Sequence, residues 1–223
     1  MKTQTISVLF IAALAGTAFA APSSAATPTP SDGLVQVSTR SLDEFYVRPK
    51  ADLAGYRRIL VDPPRAELQK DWLRRMNATR GVAHWLVPED AQRITDEAAG
   101  AMQSAVARAF TAQGYETVTE PGPGVLRLSP TVTDLFVNAP DVPAPGIQIG
   151  IVYNEAGSAT LRLEARDAVT GTLVGQVVDR DTAREVGRFD RATSVSNLFW
   201  FEAMFRQWAA NCAKEFAVVK LLP

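Results

Sequence analysis

One histidine, one cysteine and a scatter of carboxylates are the residues from which this 223-residue chain could build a reaction centre. His84 as a general base would need a nucleophile and an orienting carboxylate beside it. Its local string, Gly81-Val82-Ala83-His84-Trp85, offers neither. No Gly-x-Ser-x-Gly elbow occurs anywhere in the chain. His84 therefore reads as a packed or surface side chain. Cys212 lies in Asn211-Cys212-Ala213-Lys214 without a second cysteine, which suits a small apolar residue on a buried helix face better than a redox thiol. One imidazole and one thiol do not complete a zinc ligand set, so no metal site is expected. Pro121-Gly122-Pro123-Gly124 lacks the lysine of a phosphate loop and loses backbone donors at both prolines. No cofactor is expected.

Asp62, Asp134 and Asp179 stand at expected strand ends. A carboxylate-dependent envelope hydrolase would need two of them about 5–10 Å apart across a cleft. Turn and strand-end acids more often bond nearby backbone or water, so this is the alternative reading. Asn77-Ala78-Thr79 matches a glycosylation sequon, a pattern common by chance. The sharper anomaly is Leu198-Phe199-Trp200-Phe201. At 100° per residue Leu198 and Phe201 fall on one apolar helix stripe, with Phe199 and Trp200 off it. Two off-stripe aromatics make Phe199 and Trp200 the candidate binding residues, since aromatics enrich interface cores. The competing expectation is cover by residues 34–55 or 181–193.

Several elements must position these residues. Tyr56–Asp62 is a short apolar run stopped by Pro63-Pro64, read as a buried strand. Residues 65–87 are mixed, with a short helix expected around Glu67–Met76. Pro88-Glu89-Asp90 then opens a helix whose apolar residues recur every three or four positions, from Ala91 to Phe110, before Gly114 stops it. Strands are expected at Tyr115–Thr119, Val125–Leu135, Ala159–Arg166 and Leu173–Val178. Asp167-Ala168-Val169-Thr170-Gly171 makes a hairpin turn between the last two. Residues 138–158 read as a loop, under which an apolar cavity for a small ligand is a third functional reading. Residues 181–193 read as charged and exposed. A final helix starts near Ser194 or Ser196, with Leu198, Phe201, Phe205, Trp208, Cys212, Phe216 and Val219 inward. The order β-α-β-β-β-β-α predicts an α+β fold: a two-layer sandwich with a mainly antiparallel sheet of about five strands and two long amphipathic helices.

The front of the chain supplies an address. Met1-Lys2, the apolar run Ile6–Ala15 and Ala18-Phe19-Ala20 describe a cleaved secretory signal peptide over residues 1–20. A cut after Ala25 also fits. Residues 21–44 follow as a Pro-rich disordered leader and irregular arm, and residues 45–223 as a single domain. Ala21 stands where a lipid-bearing cysteine would follow the cleavage site, so no intrinsic membrane anchor is expected. A net charge of −1 with only isolated pairs such as Arg57-Arg58 argues against nucleic acid as a partner.

Taken in order, Tyr56-Arg57-Arg58-Ile59-Leu60-Val61-Asp62-Pro63, Pro88-Glu89-Asp90-Ala91, Pro121-Gly122-Pro123-Gly124-Val125-Leu126-Arg127-Leu128, Asp167-x-x-Thr170-Gly171 and Val178-Asp179-Arg180 resemble the bacterial DUF3313 family. These are cell-envelope proteins of unknown function, many of them predicted lipoproteins. The resemblance spans about residues 45–217. It implies a periplasmic or outer-membrane-associated protein of a Gram-negative bacterium and supplies no catalytic residues. This chain departs from the family's pattern in lacking the lipid-bearing cysteine and in a shortened segment around 138–158. The expectation is a non-catalytic, soluble periplasmic module that binds an envelope protein or envelope component.

Overall fold

A computed structural model describes residues 33–78, 80–138, 155–184 and 194–220. Its spine is three long antiparallel strands. These are β6 (Val125–Val137), β7 (Glu155–Asp167) and β8 (Leu173–Arg184). Leu128 pairs with Ala165, and Leu163 with Val177, so their apolar side chains share one face. The alternate positions Arg127, Ser129, Arg162 and Glu164 fall on the other face, as the two-residue strand period demands. The β7–β8 turn is built as its sequence indicates. Asp167 accepts the backbone N–H groups of Val169 at 3.1 Å and Thr170 at 2.7 Å, and Gly171 takes φ +70°.

Five shorter strands complete the sheet. They are β1 (Val35–Gln36), β2 (Glu44–Val47), β3 (Arg58–Val61), β4 (Arg65–Leu68) and β5 (Glu116–Thr117). The order is β1-β2-β8-β7-β6-β3-β5, with β4 also paired to β6. The β1, β2, β7 and β8 ladders are antiparallel, whereas β3, β4 and β5 join by parallel ladders. The sheet therefore has eight strands where the sequence predicts about five. Three helices accompany it: the two long ones expected, α2 (Pro88–Ala112) and α3 (Ser194–Val219), and the short α1 (Trp72–Ala78), which begins later than the helix expected around Glu67–Met76 because Arg65–Leu68 is strand. The extra strands come from stretches read as irregular arm and mixed helix. Each has four residues or fewer, so none displays enough periodicity to be seen alone. β2 and β4 become strands because β8 and β6 offer them a ladder, and β1 then pairs with β2.

The α2 termini follow the sequence signals. Pro88 occupies the first turn, and the Asp90 carboxylate accepts the Val87 N–H at 3.0 Å, satisfying a donor the helix start leaves open. Gly114, at φ +88°, turns the chain out past its end. Both long helices pack on the apolar sheet face. Met102, Val106 and Phe110 from α2 join Phe205, Trp208, Cys212 and Phe216 from α3 in one core with Leu128, Leu161, Leu163 and Val177. Gly175 lets α3 come close: a Cβ there would lie 2.7 Å from the Phe216 ring.

The arm is tied to α3 through polar contacts. Glu215 accepts from Thr39 Oγ1 at 2.7 Å and from Ser41 Oγ at 2.6 Å, while Asn211 donates to the Ser41 carbonyl. Leu34 and Leu42 are buried. The arm thus joins the sheet and the core. Residues 1–32, most of the 138–158 loop and most of 181–193 lie outside the described residues. So do the signal peptide, the leader and the proposed cavity under the loop. β8 itself continues through Arg184.

Candidate functional site

The two aromatics singled out at the start of α3 part company. Phe199 is 58% exposed, but Trp200 is only 7% exposed and belongs to the core. The inward stripe of α3 is broader than the sequence pattern suggests, because this helix touches both the sheet and α2. Trp200 and Met204 face this enlarged interior beside Phe201 and Phe205. The placement of Trp200 off the buried stripe is corrected, and Phe199 alone of the pair is presented to solvent.

Around Phe199 the surface is organised by helical spacing. Arg206, two turns along, places its guanidinium carbon 5.8 Å from the Phe199 ring centroid, within cation–π range. Arg206 also pairs with Glu202 at 3.4 Å, one turn back. Glu202 in turn borders a groove of about 280 Å³ between the two long helices, lined on α2 by Glu97, Gly100, Ala101, Ser104 and Arg108. Small side chains on α2 make the depression, and charged ones rim it. Sequence reasoning missed Glu202, Arg206 and the α2 contribution. The i, i+3, i+7 relation of Phe199, Glu202 and Arg206 was the available signal.

The carboxylates do not converge. Asp62 follows β3 and receives Arg127 Nε at 2.9 Å and Ser129 Oγ at 2.6 Å on the polar face of the sheet. Asp179 lies in β8 opposite Leu161, on the helix-facing side, where its charge reaches the Cys212 thiol. From β3 to β8 there are three ladder steps, about 14 Å at the usual strand spacing. Opposite faces and that distance leave no shared substrate cleft. Asp134 occupies a bulge in β6, has φ +52°, and accepts from Thr160 at 3.4 Å. It is committed locally, as turn acids usually are.

Asp179 nevertheless has an unusual environment. Burial pushes its carboxyl up to about 6, and the nearby Asp43 and Asp181 charges act in the same direction. The Asp43 backbone N–H donates to it at 3.3 Å, and Asp43 reciprocally accepts the Arg180 N–H at 3.0 Å. This exchange pins the arm to β8. Burial also pushes the Cys212 thiol well up, which removes the thiolate that redox chemistry needs. His84 is exposed in a short 3-10 turn, Val82–His84. The sequon asparagine is in structural use: the Asn77 amide donates to the Leu86 carbonyl at 2.9 Å and accepts the Leu86 N–H at 2.8 Å. Among the described residues no group of three or more His, Cys, Asp or Glu side chains could hold a metal ion, and no helix is long and apolar enough to cross a membrane.

These elements define an α+β protein with a large, mostly antiparallel sheet, long helices on its apolar face, and an aromatic-cationic patch at the head of the last helix. Residues 26–212 match the family described as protein of unknown function (DUF3313), and the chain belongs to that family. No curated protein matches the sequence. Among solved structures the chain is similar to the PelC dodecamer from Paraburkholderia phytofirmans, at 12% identity over 79% of this chain and 96% of that one, with a TM-score of 0.37. It is also similar to a DUF4136 family protein from Bacteroides thetaiotaomicron, at 10% identity over 83% and 98% of the respective chains, with a TM-score of 0.35.

Proposed function

We propose that this protein is a non-catalytic periplasmic module that holds an envelope protein against the outer surface of its helix layer, with Phe199 as the anchor. One observation carries the reading: a phenylalanine left 58% exposed on a helix that buries the aromatics next to it. Exposed aromatic and arginine side chains are the residue types that dominate protein interfaces. Arg206 and Glu202 supply a polar rim, and the α2–α3 groove offers a depression for a partner side chain. The secretory signal pattern in residues 1–20 supports the compartment.

Affinity capture from intact envelope tests this. Tagged protein is to recover a partner that Phe199→Ser fails to recover while retaining its thermal midpoint. Equal recovery by the substituted protein would remove Phe199 from the interface.

A further inference from the structure

A cleft lies at the far end of α3 from Phe199. It holds about 500 Å³ between β1, β2, the turn Leu53–Gly55 and the last turn of α3. That volume falls within the range of small-ligand pockets, about 300–1,000 Å³. Val35, Val37, Val47, Leu53 and Val219 wall it with aliphatic side chains. Val35 is 51% exposed, so part of this wall stands in water.

The polar side chains of the lining are all charged, and three of the four are cations. Arg48, Lys50 and Lys220 stand against one carboxylate, Asp52. Asp52 is already engaged, since its Oδ1 accepts the Gly55 N–H at 3.1 Å. Lys220 Nζ donates to the Tyr56 carbonyl at 2.8 Å and lies 4.6 Å from the Tyr115 ring centroid. Those neutral partners fix the ammonium without cancelling its charge. Among the described residues no carboxylate forms an ion pair with Lys50 or Lys220. Burial and the Arg57 charge hold the Lys220 ammonium below its usual range, a shift that an incoming anion would oppose. Lys50 also has an unusual backbone, with φ +61°. Glycine enters that region freely and a lysine does not. What lysine adds at this turn is a cation on the cleft.

The lining also selects the rest of the ligand. It contains no hydroxyl, amide or aromatic side chain. The backbone N–H groups of Val37, Arg48, Ala51 and Leu53 are taken by the carbonyls of Phe45, Val174, Arg48 and Ala51. A peptide would find few hydrogen-bond partners here, and a planar ring would find no stacking face. An alkyl chain needs neither.

We propose that this cleft binds an anionic amphiphile: an alkyl chain lying against Val35, Val37 and Val219, with a carboxylate or phosphate head drawn to Lys50 and Lys220. The cleft and the Phe199 patch occupy opposite ends of α3, so failure of either test leaves the other standing.

Equilibrium dialysis of the folded full chain against radiolabelled decanoate, with radiolabelled decyl phosphate in a parallel arm, tests the proposal. Both probes are kept below their micelle concentrations. Saturable binding at one site is expected for at least one of them, weakened by salt, and the tighter of the two identifies the head. Decyltrimethylammonium, with the same chain and the opposite charge, is expected to compete at least about tenfold less well. Lys50→Gly suits the backbone at this turn, so it is expected to keep its thermal midpoint within about 4 °C while weakening binding at least about tenfold. Lys50→Arg is expected to retain binding, and Val35→Asp, on the exposed part of the wall, to lose it. Absence of saturable binding in both arms would overturn the proposal. Equal competition by the cationic amphiphile, or undiminished binding by Lys50→Gly, would overturn it as well.

Discussion

The split between Phe199 and Trp200 can be tested by serine substitution. Trp200 is 7% exposed within the main core. Truncating a buried tryptophan removes its transfer energy and leaves a cavity, together about 3–5 kcal/mol. At about 2–4 °C per kcal/mol for a chain of this size, Trp200→Ser is expected to lower the thermal midpoint by roughly 6–20 °C. Phe199 is 58% exposed and loses mainly its contact with Arg206. Such contacts are worth about 0.5–1 kcal/mol at exposed sites, so Phe199→Ser should shift the midpoint by less than about 4 °C. Circular dichroism melts of the two variants, checked by urea midpoints with unchanged m-values, decide the matter. Comparable large losses would place both aromatics in the core and remove the binding patch. Comparable small ones would mean that the α3 face assigned to the interior is wrong.

Further predictions concern packing and ionisation. Gly175→Ala adds a methyl 2.7 Å from Phe216, whose ring is hemmed in by Phe45 and Phe110. It should cost about 1–3 kcal/mol in urea unfolding, and a smaller side chain at Phe216 should recover part of that. Gly157→Ala should be worse, since its Cβ would fall 1.7 Å from the Phe136 carbonyl oxygen at φ +153°. Low soluble yield, or more than about 3 kcal/mol lost, is the expected result. Asp179 holds its proton more tightly folded than unfolded, about 6 against 3.8. Its contribution is therefore fully present below pH 3.8 and lost as pH rises through about 6. The ceiling at 1.36 kcal/mol per pH unit is about 3 kcal/mol, and partial solvation reduces it to about 1. Asp179→Asn should flatten the decline in stability between about pH 4 and 7; an unchanged slope would refute the assignment.

Where a local signal dictates structure, the sequence was legible. Pro88, Asp90 and Gly114 mark the ends of α2, Asp167 and Gly171 make the β7–β8 turn, and Ser194 begins α3. What could not be read depends on distant partners. Glu44–Val47 becomes a strand because β8 offers its edge, pairing Glu44 with Val178 and Val47 with Gly175. Arg65–Leu68 becomes one because β6 extends past β3 to meet it. Trp200 was misplaced because an amphipathic count assumes a single buried face, and α3 has two. Val82, Trp85 and Val87 lie in a stretch whose sequence reads only as mixed, and the Asn77–Leu86 clasp decides that Leu86 is the one buried beside them.

The most direct test of the binding assignment is site-specific photo-crosslinking in intact cells. A photoreactive phenylalanine analogue replaces Phe199 in one strain and Thr131, on the polar face of the sheet, in another. The account predicts a discrete protein adduct from position 199, lost when Arg206 is changed to Glu, and none from position 131. No adduct at 199, or the same adducts from both positions, would contradict it.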